Sequence, residues 1–191
     1  MAEGIDKLMY SFVVDDVLKG FLIHVPPGYV ACVYDLGRGV LKKIYKPGLH
    51  LKIPFWQKAT LFNTQTLEYN INKKFDVNKP RLLGDQPITA STNEGKKIIV
   101  EGTILLRLDA EQIPEIWQSI GEQFVEKIIR PTIQSRIRLI AAKYTFDEIN
   151  ANKRDEVEID TRKELERILY PRGIFVENVL LSEINLTHTE K

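Results

Sequence analysis

Ahead of Asp109, apolar and polar residues mostly alternate one by one; after it, apolar residues recur three and four apart. The first pattern belongs to strands with one covered face, the second to helices with one buried stripe. Val25-Pro26-Pro27-Gly28 cannot continue a helix and marks an extended entry or a turn. The run Tyr29 to Tyr34 predicts a strand, Asp35-Leu36-Gly37-Arg38-Gly39 a turn, and Val40 to Tyr45 the returning strand. Lys46-Pro47-Gly48 is a second turn, its proline presetting one dihedral and its glycine accepting positive φ. Leu49-His50-Leu51-Lys52-Ile53 then alternates strictly, as a half-buried strand does, until Pro54-Phe55-Trp56 ends it. Ala59 to Ile71 continues as one strand, with Leu61, Asn63, Gln65, Leu67, Tyr69 and Ile71 on one face. Residues 72–87 are polar and basic, with Lys73, Lys74, Lys79 and Arg81, and predict a long loop. Ile88 to Thr92, the turn Asn93-Glu94-Gly95 and Lys96 to Leu108 form a hairpin.

The helical half opens with Glu111 to Ser119, Pro114 lying near its first turn where proline is tolerated, and Gly121 breaks it. From Glu122 to Tyr144, Val125, Ile129, Ile133, Ile137 and Ile140 define one buried face, and Pro131 kinks this helix or starts a new one. Thr145-Phe146-Asp147-Glu148 has the form of a capping box. A charged helix follows, roughly Lys153 to Leu169, with Val157, Leu165, Ile168 and Leu169 as a narrow apolar edge. Pro171-Arg172-Gly173 stops it, and Ile174 to Leu186 is a closing strand. Strands, then helices, then one strand is an α+β order. It implies an antiparallel β-rich half followed by helices packed on one side of a sheet that the last strand rejoins. The expected division is an N-terminal segment 1–25, a domain 26–187 made of a β-rich part (about 26–92) and an α+β part (about 93–187), and a tail 188–191.

Composition narrows the chemistry. The 27 Lys and Arg against 26 Asp and Glu leave a charge of +1, which predicts no strong global attraction to nucleic acid or to an anionic bilayer. The sole cysteine, Cys32, lies in an apolar run and reads as a small core residue. A nucleophile pair with His50 needs the fold to bring the two together. His24, His50 and His188 stand far apart, and no spacing of ligands points to a metal. No nucleophile elbow, phosphate loop or dinucleotide fingerprint occurs, so no catalytic residue and no cofactor is expected. Leu8 to Val25 is the most apolar stretch, but Asp15, Asp16 and Lys19 interrupt it and it fails as a membrane span. Leu8 to Phe21 reads instead as a helix with Met9, Phe12, Val13 and Val17 on one face, lying on lipid or packed on protein.

These landmarks, in this order, resemble the stomatin/prohibitin/flotillin (SPFH, band-7) domain. The resemblance runs over about residues 25 to 187. It starts at Val25-Pro26-Pro27-Gly28-Tyr29-Val30 and passes through Gly37-Arg38-Gly39. Its most specific piece is Lys46-Pro47-Gly48-Leu49-His50-Leu51-Lys52-Ile53-Pro54-Phe55. Thr92-Asn93-Glu94-Gly95, Arg130-Pro131 through Arg136, Tyr144 through Ile149, and Gly173 through Val179 follow in family order. Three departures stand out: the membrane anchor and the long coiled coil usual in family members are missing, and the loop 72–87 is longer than usual; the first two suggest a piece of a longer protein, with a minimal variant as the alternative.

The resemblance implies a non-enzymatic, membrane-associated oligomeric scaffold that organises a membrane microdomain or holds a membrane protein such as a protease. The alternative is a soluble self-assembling shell or adaptor. Implied partners are further copies of the chain or its relatives, membrane lipid and a membrane-bound protease; nucleic acid is not among them. Phe12, Phe21, Pro54, Phe55 and Trp56 are the candidate membrane contacts, since aromatic residues on a turn suit the interface; a core role for Trp56 is the competing assignment. Arg154, Glu158, Arg162 and Glu166, on the charged helix, are the candidate subunit interface.

Overall fold

A computed structural model describes residues 20–73 and 83–187. Phe12, most of the expected N-terminal helix, Lys74, Lys79, Arg81 and His188 lie outside them. The chain divides into two compact units, 1–65 with 110–118 and 66–109 with 119–191. The change of unit falls at Gln65/Thr66, whereas the sequence reading divides the domain into its two parts at about 92/93.

The first unit holds β1 (Leu22–Val25), β2 (Tyr29–Asp35), β3 (Gly39–Tyr45), β4 (Gly48–Leu51) and β5 (Gln57–Asn63). It also holds most of a short helix, α1 (Ile113–Ser119). β3, β2 and β5 form an antiparallel sheet with β2 in the centre, and β1 pairs antiparallel with β4. The hairpin β2–β3 is the one the sequence predicts, whereas β1 lies in a stretch expected only to lead into the domain. Ile23 and Val25 of β1 are buried against Ala31 and Val33 of β2, bordered by Tyr29, Leu41, Tyr45 and Ala59. Alternation then puts Val30 and Cys32 on the opposite face of β2. There Phe62, paired with Val30, meets Trp117 of α1 edge-on at 5.9 Å.

The strand expected to run unbroken from Ala59 to Ile71 is two strands. β5 ends at Asn63 and β6 (Leu67–Ile71) begins after a bend. At the bend the Thr64 N–H and hydroxyl both donate to the Gly28 carbonyl, at 2.9 and 3.0 Å. Gly28 has φ +79°, and a Cβ there would collide with the Gln65 side chain, so the approach needs glycine. The break also resets the face: Phe62 is buried and Leu61 exposed in β5, whereas Tyr69 and Ile71 are buried in β6.

In the second unit β9 (Lys97–Leu108) is the spine. It pairs antiparallel with β10 (Ile174–Leu186), with β6 and with β8 (Ile88–Ser91). β7 (Leu83–Asp85), inside the stretch expected to be loop, lies parallel to β6. Gly102 lets β10 come close: a Cβ there would stand 2.5 Å from the Leu180 carbonyl oxygen. A π-helical turn Val125–Ile129 leads into α2 (Arg130–Ala141), with Pro131 in the first turn. Val125, Ile129, Ile133, Ile137 and Ile140 are all buried, forming the expected face. The capping box is made reciprocally, Glu148 N–H to Thr145 Oγ1 at 3.2 Å and Thr145 N–H to Glu148 Oε2 at 3.0 Å. A π-helical turn Glu148–Asn152 separates it from α3 (Arg154–Leu169). α3 buries Val157, Thr161, Leu165 and Leu169, a stripe of period four in which Thr161 replaces the expected Ile168. Gly173, at φ +73°, turns the chain into β10. The class is α+β, with the closing strand back in the sheet of the second hairpin.

Candidate functional site: an exposed apolar tip on the first unit

β4 and the turn after it carry the alternating run Leu49 to Phe55, and its apolar members face solvent. Leu49 is 63% exposed, Leu51 74%, Ile53 55% and Phe55 102%, whereas His50, Lys52 and Pro54 are partly covered. This inverts the half-buried strand expected from the alternation. The register explains it: β4 lies beside β1 so that His50 stands opposite the buried Ile23 and Leu51 opposite Leu22. The inner face of the pair is supplied by β1, and His50 packs edge-on against Tyr45 at 5.0 Å while hydrogen-bonding the Lys46 carbonyl at 2.6 Å.

Two turns make the tip. The Leu36 N–H donates to the Trp56 carbonyl at 3.0 Å, joining the 35–39 turn to the 53–57 turn. Asp35, 2% exposed, organises both. Its carboxylate accepts from the Gly37 and Arg38 N–H groups at 3.0 and 3.1 Å, the Arg38 guanidinium at 3.0 Å and the Gln57 carboxamide at 2.9 Å. The Gln57 oxygen accepts in turn from the Ile53 N–H at 3.0 Å. Hydrogen bonds from Gln57 and Arg38 hold the Asp35 carboxyl well below the usual carboxylate range. Lys52 N–H donates to the Phe21 carbonyl at 2.8 Å, which ties Phe21 (43% exposed) to the same end. Around this frame Leu36, Ile53, Phe55 and Trp56 project into solvent, Trp56 being 53% exposed and so not a core residue.

Phe55 has φ +62°, a left-handed conformation that a bulky side chain adopts at a cost of roughly 1–2 kcal/mol. It gains no packing in return, being wholly exposed. A strained, exposed aromatic beside other exposed apolar side chains points to function outside folding.

Of the candidate membrane contacts, the structure brings Phe21, Pro54, Phe55 and Trp56 together. Sequence reading missed Asp35 and Gln57; an aspartate two residues before a glycine in a turn was the available signal. The candidate interface residues separate into two pairs. Arg154 donates to the carbonyls of Leu181 and, at 2.9 Å, Ser182, and Glu158 accepts from the Leu181 N–H at 2.8 Å. Both therefore bind the irregular stretch of β10 between Leu181 and Ile184. Arg162 and Glu166 face each other at 3.8 Å with side chains 41% and 43% exposed. Cys32 is buried opposite Ile44 and Thr60, and burial pushes its thiol up to about 11. A thiol so protonated is a poor nucleophile. No cluster of metal-ligating side chains occurs among the described residues, and none of their helices is long and apolar enough to cross a membrane.

Comparison with known proteins agrees with this architecture. The chain is 23% identical over 167 residues to "Prohibitin-1, mitochondrial" of Arabidopsis thaliana, covering 87% of this chain and 51% of that protein. It is 23% identical over 187 residues to "Prohibitin 1" of Mus musculus, covering 97% and 61%, and 24% identical over 169 residues to "Prohibitin-1" of Schizosaccharomyces pombe, covering 88% and 54%. It thus spans about half to three fifths of these relatives. Residues 23–189 match the family described as SPFH domain / Band 7, and the chain belongs to that family.

Proposed function

We propose that this chain is a membrane-associated scaffold module whose first unit rests its tip on one leaflet of a bilayer. The observation that carries the reading is Phe55, wholly exposed at positive φ beside Ile53 and Trp56. Aromatic and aliphatic side chains at this height prefer the headgroup boundary to water. Phe21, Pro54, Phe55 and Trp56 are the contacts. Membership of the SPFH domain / Band 7 family and the similarity to prohibitins support a scaffold over an enzyme. Arg162 and Glu166, turned outward on α3, are the side chains of the candidate interface free to meet a neighbouring copy; Arg154 and Glu158 hold β10. Holding a membrane-bound client such as a protease extends the reading through the family resemblance.

Flotation with vesicles tests the membrane contact. Phe55→Gly removes the aromatic ring and relieves the backbone, so the variant should fold at least as stably as the parent while floating markedly less. Unchanged flotation would remove Phe55 from the contact. A second reading, a soluble shell or adaptor, is favoured if the parent chain does not float at all.

A further inference from the structure

The near-neutral charge of the chain hides a segregation. From Phe21 to Gln65 the basic residues are Arg38, Lys42, Lys43, Lys46, Lys52 and Lys58, and the one acid is Asp35. That acid is buried and spends its charge on Arg38, Gln57 and two backbone N–H groups. Arg38 offsets that acid, so among the described residues the strands and turns around the tip keep five uncompensated lysines, Lys42, Lys43, Lys46 and Lys58 exposed and Lys52 partly covered. The described acids of the same unit outside this stretch, Glu111 and Glu115, lie just before α1 and in its first turn; Trp117 of that helix lies on the Phe62 face of the sheet, opposite the face on which β1 packs.

Three of the cations stand at the tip itself. Lys58, exposed, follows Gln57 opposite Tyr34; Lys52, partly covered, alternates with the exposed Leu51 and Ile53 and leaves the strand on its other face; Arg38 sits in the turn bonded to Trp56 and is paired with Asp35. Resting on the reading of the tip as a bilayer contact, we propose that the tip selects membranes with anionic headgroups, Lys58 and Lys52 meeting lipid phosphates and carboxylates while Phe55 and Trp56 enter the headgroup boundary. Charge complementarity names the occupant. An apolar protein groove gives no reason for a surplus of lysines around the apolar residues, whereas an anionic bilayer offers negative charge at the surface and apolar chains just below it. Each cation near such a surface raises partitioning about fivefold, and salt screens that part alone.

The test is co-sedimentation of the full chain with vesicles of phosphatidylcholine alone and of phosphatidylcholine with phosphatidylserine, at low and high sodium chloride. The proposal expects binding to the anionic vesicles at least tenfold stronger at low salt, most of the difference vanishing at high salt. It also expects the Lys52→Gln/Lys58→Gln double variant to lose on the order of tenfold or more on anionic vesicles, with circular dichroism and urea melts unchanged. Equal, salt-insensitive binding to both vesicles overturns the selection and leaves the membrane contact standing. Binding to neither overturns both readings. Anionic selection that survives the double variant overturns the assignment to the tip. Should that variant fail to fold, Lys58→Gln alone, on an exposed strand position, carries the same expectation at about fivefold. Self-association abolished by Phe55→Asp, without vesicle binding, assigns the tip to a second copy and overturns the proposal.

Discussion

β4 and β9 are written in the same alternating pattern and use it in opposite ways. In β9, Ile98, Val100, Ile104, Leu106 and Leu108 are at most 3% exposed, inside a strand flanked by β10, β6 and β8. In β4 and the turn after it, Leu49, Leu51, Ile53 and Phe55 are more than half exposed. Alternation says that one face is apolar; what covers that face depends on the other elements. For β9 the chain supplies the cover. For β4 the inner face takes His50 and the flanking β1, and among the described residues the apolar face stays uncovered.

The sharpest way to break the contrast is a large-to-small change on the covered side. Ile104→Ala in β9 and Ile137→Ala in α2, at 1% and 4% exposure, should each cost about 2–5 kcal/mol in urea unfolding, transfer and cavity terms together. A loss of a few tenths would mean that the second unit is not packed as described. Gly102→Ala tests the same core from the opposite direction. The added methyl meets a backbone oxygen at 2.5 Å, which cannot rotate away, and about 1–3 kcal/mol of overpacking strain should follow. A neutral outcome would show that β10 can be moved freely.

Charged residues on α3 provide a milder contrast. Arg154→Ala removes charge-assisted bonds to two carbonyls of β10 and should cost about 1–2 kcal/mol, discounted for a side chain one third exposed. Arg162→Ala, which loses only an i,i+4 pair, should cost about 0.3–0.5 kcal/mol. Equal losses would erase the separation of the candidate interface into a strand clamp and a free pair.

Acid probes the frame of the tip. The Asp35 carboxyl is held below its ordinary 3.8 in the folded protein, so the unfolded chain binds its proton first as pH falls. Its contribution to stability is complete above the unfolded value and is lost as pH drops through the folded one. Asp35→Asn should therefore lower stability at neutral pH and flatten its decline in acid. A parallel, equally steep acid limb in the variant would show that other carboxylates govern it.

Much of the second unit was legible. The isoleucine series of α2, the Thr145/Glu148 box and the hairpin of β8 and β9 are local signals, and the structure keeps each of them. The break at Thr64 was not legible, because it rests on the Gly28 carbonyl far back in the chain. Nor was β7, three residues whose pairing with β6 is set by tertiary contact. At the tip the aromatic turn could be read from its composition, but Asp35, Gln57 and the conformation of Phe55 could not. They depend on two turns meeting across the sheet, and alternation alone assigned the β4 leucines to the interior. The net charge carries no information of that kind either: a sum over the chain says nothing about where its cations and carboxylates lie.

The smallest expected effect is the most direct check on that inversion. Leu51, at 74% exposure, gives up little on truncation, so Leu51→Ala should change unfolding free energy by no more than about 0.5 kcal/mol, as surface positions do. Ile104→Ala removes a similar amount of hydrocarbon from the interior, and the several-fold ratio between the two is the numerical form of the comparison between β4 and β9. On the proposed membrane contact, the same Leu51→Ala variant should still bind vesicles less well than the parent, because the lost methyl groups lie beside Ile53 on the face proposed to meet lipid. A loss of 2 kcal/mol or more from so exposed a leucine, beyond the surface range, would mean that the β4 face is already covered in solution. Mass measurements on the same samples would then show whether a second copy covers it.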